Sequence, residues 1–519
     1  MRLVLFPNQL FSPKELKKLT PNNGDIQIHL IEHTLFYGKR KYKYIANPPS
    51  KSPKAKPMKF NRRKIVFHRA TMLHFIDECK QQDIKITFHE SIDNLNEMKK
   101  ELLGNKNKTL SLSSLDIVYF DPVDRELTLE LTKTFPNATR LDTPYFLFTP
   151  NDIYRFLSYK DPKHTKARDK ITHSSFYKFA LDELDIPFIK KSLDTENRDK
   201  FEEKDIPNID YKTYDNKYID KAKKWLEKSD YKDYPGELEN WWLPIMRQGA
   251  EKQLQDFLKN DLKYFGKYQD AMVIQRPFLY HSRLSSLLNI GLLTPRIVVE
   301  ETVKYYKKHR TKIPLSSFEG FIRQIIGWRE YERIVYHLFY SEIVAANEFK
   351  NKRELKDVWY KIPDKTVLTP LDDAISQAWT YGYLHHIYRL MVVSNAMNLM
   401  TVKPYDAYRW FMEFATDSYD WVMIGNVYSM GMWADGGKTM RKPYISSNAY
   451  IEKMSVGYDE DKEWREKWRG LYYHFLERNS NVLKKTIYAR NLGTLKRMKK
   501  VEKIDLMREA RETIRYYTK

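Results

Sequence analysis

The stretch Tyr383-Leu384-His385-His386-Ile387-Tyr388-Arg389-Leu390-Met391 carries more information than any other in the chain. Apolar or bulky residues recur at Ile375, Ala378, Trp379, Tyr383, Ile387, Leu390 and Met391. Steps of three and four predict a helix with one buried face. His386 falls on that face, His385 points away from it, and Arg389 follows within a turn. An imidazole and a guanidinium aimed at an interior need polar partners there, because unpaired buried charge is costly. Two readings fit: a single satisfied core histidine, or the wall of a functional site.

The pattern around this stretch is helical from about residue 236 onward. Helices are expected over Trp241–Tyr264, Pro277–Leu293, Phe318–Tyr340, Leu371–Met400, Pro404–Phe414, Trp464–Leu483 and Ile504–Tyr517. The interval 425–455 is rich in Gly, with Met, Trp and Tyr interspersed, and reads as a long structured loop of the functional kind. The first ~140 residues differ. Strand candidates Leu3–Phe6, Ile26–Ile31, Ile84–Phe88 and Ile117–Phe120 enclose an amphipathic helix around Ala70–Cys79. Alternating strands and helices imply a parallel, Rossmann-like α/β sheet. No G-x-G-x-x-G follows the first strand, so a conventional dinucleotide site is not supported. Such sheets bind ligands at the carboxyl ends of their strands, which here carry Asn8-Gln9 and Glu32-His33. We therefore expect an α/β domain over 1–145, a charged linker over 146–235, and a large all-α domain over 236–519.

Between Lys39 and Lys64 stand eleven Lys or Arg, four Pro and no acid. This reads as a mobile basic loop unable to pack as a core element, either touching phosphate or merely solvated. The whole chain of 519 residues carries a formal net charge of +22, which favours a polyanionic partner such as nucleic acid. A generally Lys-rich composition is the plainer alternative. One cysteine, Cys79, excludes an internal disulfide, a Cys-rich zinc site and an iron–sulfur cluster held by this chain's own cysteines. The N-terminal apolar run is too short for a signal peptide and no stretch approaches a membrane span. These points lead us to expect a soluble intracellular protein in a reducing compartment, in the cytoplasm or wherever its DNA is, a virion included.

Four segments of the helical half belong together. Tyr280-His281-Ser282-Arg283-Leu284-Ser285 places hydroxyls three apart at a helix start, a pattern that binds phosphate or simply caps the helix. Glu319 through Tyr331 puts Glu319, Arg323 and Glu330 beside an apolar face, where surface ion pairing is the plain reading. The His386/Arg389 stretch is third. Asp417-Ser418-Tyr419-Asp420-Trp421, leading to Asn426, is fourth.

Together, and over nearly the whole chain, these resemble the photolyase/cryptochrome superfamily. The likeness is greatest to the prokaryotic (6-4) photolyase group, the iron–sulfur bacterial cryptochromes and photolyases. It is densest in Glu319–Tyr331, Tyr381–Met391, Arg409–Val422 and Ser429–Ser455. The resemblance implies a helical domain holding FAD, light-driven repair of damaged DNA, and a protein acting as a monomer. It places Tyr268, His281, Ser282, Arg283, Leu284 and Ser285 at the cofactor, with the hydroxyls at its phosphates. Glu319, Arg323 and Asn395 would line the same pocket, and Arg389 and Asp417 would pair against the polar edge of the isoalloxazine. His386 would stand between flavin and lesion. Met430, Lys442, Tyr444 and Tyr450 would meet the flipped photoproduct and its strand. Extrusion of damaged bases onto an aromatic and apolar floor is physically sound, because damage lowers the cost of flipping.

The sequence departs from the group in three places. The four positions that match its cluster cysteines are Pro370, Tyr458, Asp461 and Glu466, so the cluster should be absent, with Trp464 and Trp468 filling its structural role. Met423 stands where a carboxylate or amide usually faces flavin N5, and it cannot accept a proton there. In the tryptophan relay Trp410 is kept, its neighbour is Phe411, and Trp359 lies near the distal position. In the α/β domain, Asn8, Gln9 and Glu32 match the part that binds a lumazine-type antenna chromophore, or mark an empty vestige of it. The pattern His-His-Ile-x-Arg favours (6-4) photoproducts. Leu390, where animal-type (6-4) enzymes carry a second histidine, keeps cyclobutane dimer repair as the alternative, with blue-light signalling as a further one.

Overall fold

Residues Arg2–Leu5 (β1), Gln27–His33 (β2), Lys85–Ile92 (β3), Ile117–Phe120 (β4) and Thr139–Leu141 (β5) pair in the order β3-β2-β1-β4-β5. Every pairing is parallel, with Leu3 opposite Ile28 on one side and Val118 on the other. The central strands are almost wholly buried, as a sheet covered on both faces requires. Four strands match the sequence reading. β5 was not foreseen because Thr139-Arg140-Leu141 is three residues long, partly polar and at the sheet edge. The computed structural model describes residues 1–21, 26–46, 51–103, 116–160, 171–186, 188–199, 201–207, 211–459 and 461–519.

The basic segment corrects our reading where it is described (residues 47–50 lie outside). Its two ends pack into the core. Arg40 is buried and its Nη1 lies 2.8 Å from Asp124, with Glu126 and Asp420 also within 4.0 Å. Met58, Phe60, Arg63 and Lys64 are buried too. The helix expected around 70–79 spans Arg62–Gln81, capped when Asn61 accepts from the Arg63 amide at 2.8 Å. Acids distant in sequence neutralise Arg40, which local charge counting cannot show.

The helical half is built from Arg247–Asn260, Leu262–Tyr268, Pro295–His309, Leu315–Ile322, Glu330–Ala345, Thr369–Tyr381, Pro404–Phe414, Glu463–Arg478 and Lys500–Tyr517, with shorter pieces between. The helix expected over Pro277–Leu293 shrinks to Ser285–Leu288. Leu279 and Arg283 before it have φ of 39° and 56°, a conformation no right-handed helix accepts. Over 425–455 the expected loop contains a π-helical segment, Ile424–Gly431, and a helix, Asn448–Met454. Two more π-helical segments occur, Arg323–Arg329 and Tyr388–Ser394. Single π-turns are uncommon and gather at functional sites.

The expected helix Leu371–Met400 is broken. Thr369–Tyr381 ends on Gly382, which is left-handed (φ 62°), and Tyr383–His385 are not helical. An ideal Cβ at Gly382 would lie 2.9 Å from Thr416 Cγ2. Gly382→Ala should therefore cost about 1–2 kcal/mol, the left-handed penalty for an L side chain, readable as a lower urea midpoint. The break shifts the phase of everything after it. His385, not His386, becomes the buried residue, at 1% exposure, and His386 is exposed.

Around the positions that match cluster cysteines, the Tyr458 and Tyr388 hydroxyls lie 2.7 Å apart and Tyr458 donates to Asp373 at 2.6 Å. Trp464 donates to the Tyr458 carbonyl at 3.0 Å, Trp468 donates to that of Ser446 at 3.1 Å, and both indoles are fully buried. Among the described residues no group of three His, Cys, Asp or Glu is placed to hold a metal, and no helix is long and apolar enough to cross a membrane.

Glu332, in Glu330–Ala345, packs its carboxylate directly on Gly425, and both its oxygens lack a hydrogen-bond partner. Burial, then Asp435, pushes its pKa up to about 8. The folded chain thus holds a proton that the unfolded chain releases near the ordinary carboxylate value, so stability should fall as pH rises from about 5 to about 8. Glu126 and Glu330, pushed up to about 7, act in the same direction. Glu332→Gln should flatten its share of that slope in urea titrations at the two pH values.

Candidate active site

Arg389 and Asp417 meet as a two-toothed ion pair, Nη1 to Oδ1 at 2.9 Å and Nη2 to Oδ2 at 3.0 Å. Arg389 Nε also donates to the Leu384 carbonyl at 2.6 Å, which the helix break leaves available. Ser285 donates to Asp417 Oδ2 at 2.6 Å, and Asn289 Nδ2 to the Asp417 carbonyl at 2.8 Å. Three chain segments far apart in sequence are thereby fastened at one point. Such charge-assisted bonds are the strong ones.

Beside the pair, the His281 and His385 rings stack at 4.3 Å and 11°. Burial, then His386, pushes His281 down to about 3; burial, then His281 and His386, holds His385 well below the usual range. Both rings are neutral at neutral pH. His386 is exposed to solvent, yet burial, then Arg389 and Arg198, pushes it down to about 4. Its ring is thus open to solvent while Arg389 and Arg198 lie close enough to act on it.

His281 Nε2 and both ring nitrogens of His385 are buried without a hydrogen-bond partner, as are Arg283 Nε two residues along and Glu319 Oε2. Natural folds rarely leave such groups unsatisfied, so a ligand with several donors and acceptors, as FAD is, fits this wall. Arg283 is left-handed (φ 56°) with its guanidinium 5.1 Å from the Phe278 ring. Gln253 donates to the Ser282 and Arg283 carbonyls at 3.2 and 2.9 Å, and Leu284 is buried ahead of Ser285.

A polar chain runs along one side. Tyr177 and Arg323 Nε donate to Glu319 Oε1 at 2.9 and 3.1 Å, and Arg323 Nη2 reaches Asp194 at 2.5 Å. Arg198 donates to Asp194 at 2.8 Å and to Asp270 at 2.7 Å, and the Tyr450 hydroxyl bonds the same Asp270. Arg198 is left-handed, with φ 76°. Its charge is felt at both His386 and Tyr444. Sequence reasoning missed Tyr177, Asp194, Arg198 and Asp270. The first three lie in the segment taken as a linker, and the only signal there is the dense run of acids, Asn and Arg from Asp194 to Asp199.

Other expected residues are placed less directly. Tyr268 donates to Asp205 at 2.8 Å in a small separate apolar cluster. Asn395 spends its side chain on Ser446, donating at 2.8 and 3.0 Å and accepting at 3.2 Å. Met423 and Met430 are both buried. Lys442 is exposed, 5.5 Å from the Tyr444 ring. Trp410 is buried, with Phe414 at 4.5 Å and Trp359 at 5.9 Å between ring centres; Phe414 in turn lies 5.5 Å from the Arg389 guanidinium. Trp410 and Trp379 both donate to the Trp359 carbonyl, at 2.7 and 2.8 Å.

At the carboxyl ends of the strands, Asn8 donates to Pro122 O at 3.3 Å, and Gln9 donates to Phe120 O and Asp121 O at 3.0 and 3.2 Å. Glu32 accepts from Arg69 at 2.7 Å with both oxygens, from Tyr37 at 3.0 Å and from the Ser91 amide at 3.2 Å. Its carboxylate is fully taken, and the cavity beside Asn8 measures only about 10 Å³. Asn8 Oδ1 and Gln9 Oε1 are buried there without a hydrogen-bond partner.

Residues 4–242 match a family model described as deoxyribodipyrimidine photo-lyase-related protein. A (6-4) photolyase of Agrobacterium fabrum is 36% identical over 294 residues, 55% of this chain and 57% of that protein, so the match spans little more than half of that relative's length. A bacterial class III photolyase from Agrobacterium tumefaciens shares the fold with a TM-score of 0.56 at 15% identity, over 90% of this chain and 86% of that one. A Synechocystis sp. PCC6803 cryptochrome does so at 0.54 and 14%, over 98% and 93%. Residues 4–242 are thus similar to the photo-lyase-related family, just over half of the chain is similar to a (6-4) photolyase, and the parallel sheet joined to a helical half has the fold of the photolyase and cryptochrome structures.

Proposed function

We propose that this protein is a DNA photolyase that holds FAD in its helical half and reverts (6-4) pyrimidine–pyrimidone photoproducts in blue light. The observation that carries the reading is the accessible His386 ring, set beside the Arg389–Asp417 pair and within reach of the charge of Arg198. In this reading residues 1–145 are the antenna-type domain, 146–235 the linker and 236–519 the catalytic domain, with the linker lending Asp194 and Arg198 to the site. FAD, when bound, supplies the light-driven electron.

The chain's own residues do the rest. Arg389, with Asp417 and Ser285 fixing its plane, offers donors to the polar edge of the cofactor, and His281, Ser282 and Arg283 face its phosphates. His386 handles the proton. At about 4 its imidazole is neutral at neutral pH. An anion against the ring offsets the two guanidinium charges and lets it take up the proton that general-acid donation requires. Protonation is thus tied to substrate being in place. Tyr444 and Tyr450 supply the aromatic floor for flipped bases, and the net charge of +22 draws the phosphate backbone.

The test is repair of duplexes carrying each lesion, with and without blue light. Flavin absorbance in the purified protein and light-dependent loss of (6-4) photoproducts are expected. Loss of cyclobutane dimers alone would reassign the substrate. A flavoprotein repairing neither lesion would point to signalling, and a colourless protein that cannot be reconstituted with FAD would end the reading.

A further inference from the structure

Lys64 lies in the first turn of the helix Arg62–Gln81, inside the α/β unit, and is 1% exposed. Its ammonium forms no ion pair among the described residues. It donates to two carbonyls, Ser418 O at 2.6 Å and Met412 O at 3.2 Å, and lies 4.0 Å from the Phe60 ring. Burying an unpaired ammonium costs several kcal/mol, and a methionine would fill the same space without that cost. Burial duly pushes its pKa down to about 7. A group this costly calls for a local use.

The two carbonyls show it. Met412 is near the end of the helix Pro404–Phe414, and Ser418 follows Asp417 directly. Lys64 therefore spans the turn that delivers Asp417 to Arg389. Its helix grips the same turn elsewhere: the Asn61 amide donates to Glu413 O at 2.7 Å, and His68 bonds the Tyr419 hydroxyl at 2.8 Å. Asp417 is also the acid whose charge acts most strongly on Lys64. The neighbouring cavity of about 10 Å³ leaves no space for a larger group.

We infer that Lys64 is a positioning residue of the cofactor site: from the α/β unit it holds the turn that presents Asp417 to Arg389 and, in its protonated fraction, adds positive charge behind that pair. This rests on the proposal that the pair faces FAD. Positive charge near a flavin favours its electron-rich, reduced form, so the lysine would act on potential as well as on affinity.

The full-length protein, Lys64→Met, Lys64→Gln, Asp417→Asn and the Lys64→Met/Asp417→Asn pair would be compared for FAD affinity, flavin midpoint potential and thermal melting. Lys64→Met should weaken FAD binding about tenfold and make the potential more negative. It should add little in the Asp417→Asn background, because coupled residues are not additive. Lys64→Gln, which keeps a donor but no charge, should hold affinity closer to the parent while still shifting the potential. Should Lys64→Met fail to fold, this variant decides. An unchanged potential, or a loss of affinity that merely follows melting temperature in both backgrounds, would overturn the role. A parent protein that takes up no FAD would instead overturn the cofactor reading itself.

Discussion

His386→Ala is expected to lower light-driven repair of (6-4) photoproducts by roughly 10²–10⁴-fold, the usual worth of a positioned general acid. FAD content and affinity for damaged duplex should persist, because the ring is exposed and packs no core. His385→Ala should behave in the opposite way. That residue is buried against His281, so its loss opens a cavity and should reduce flavin retention and stability, with residual repair following residual holoenzyme. Single-turnover repair under saturating light, normalised to bound flavin, separates the two. Small, equal effects would remove His386 from the chemistry and favour cyclobutane dimers or signalling.

The second large effect is expected at Asp417. Asp417→Asn leaves the Arg389 guanidinium, only 15% exposed, without its counter-charge. Removing one partner of a buried pair typically costs about 3–5 kcal/mol. Arg389 would also lose the partner that fixes its plane, so FAD should bind more weakly and be carried substoichiometrically unless supplied in excess. Denaturant unfolding and flavin stoichiometry check the two parts separately. A stable, fully loaded Asp417→Asn protein would show that the pair is not the cofactor's anchor.

Much of this architecture is legible in the sequence because it rests on local period. Four parallel strands and the helix Pro404–Phe414 follow from runs of apolar residues at the right spacing. What was not legible depends on single backbone angles and on distant partners. Gly382 alone turns one expected helix into two and exchanges the faces of His385 and His386. Periodicity cannot register that, since the apolar residues on either side keep their spacing. Left-handed Leu279 and Arg283 likewise end a helix that residue preferences would continue.

The site divides along the same line. Ser285, Arg389 and Asp417 stand in recognisable motifs and converge. Arg198 and Asp194 could not be chosen, because an arginine in a charged linker looks the same whether unpaired or held between two acids. Lys64 and Arg40 were misread for the converse reason: a basic run implies exposure only until acids or carbonyls from elsewhere close over it. Glu32 could be picked from its motif, but its partners Arg69, Tyr37 and Ser91 could not.

The π-helical segments Arg323–Arg329, Tyr388–Ser394 and Ile424–Gly431 have a consequence for how this chain changes over time. A π-turn is a helix that accommodates an additional residue within its winding, closing i→i+5 bonds where an α-helix closes i→i+4. In an ordinary helix, losing or gaining one residue rotates everything beyond it by about a hundred degrees and misplaces a whole buried face. At a π-turn the same event can be absorbed as a local change of winding. These three segments are therefore the places where the chain can change length by one residue and keep its core, re-aiming only the few side chains inside the turn. Arg389 sits within one such turn, three residues after His386, which makes that short interval the most economical place for the aim of these two side chains to drift.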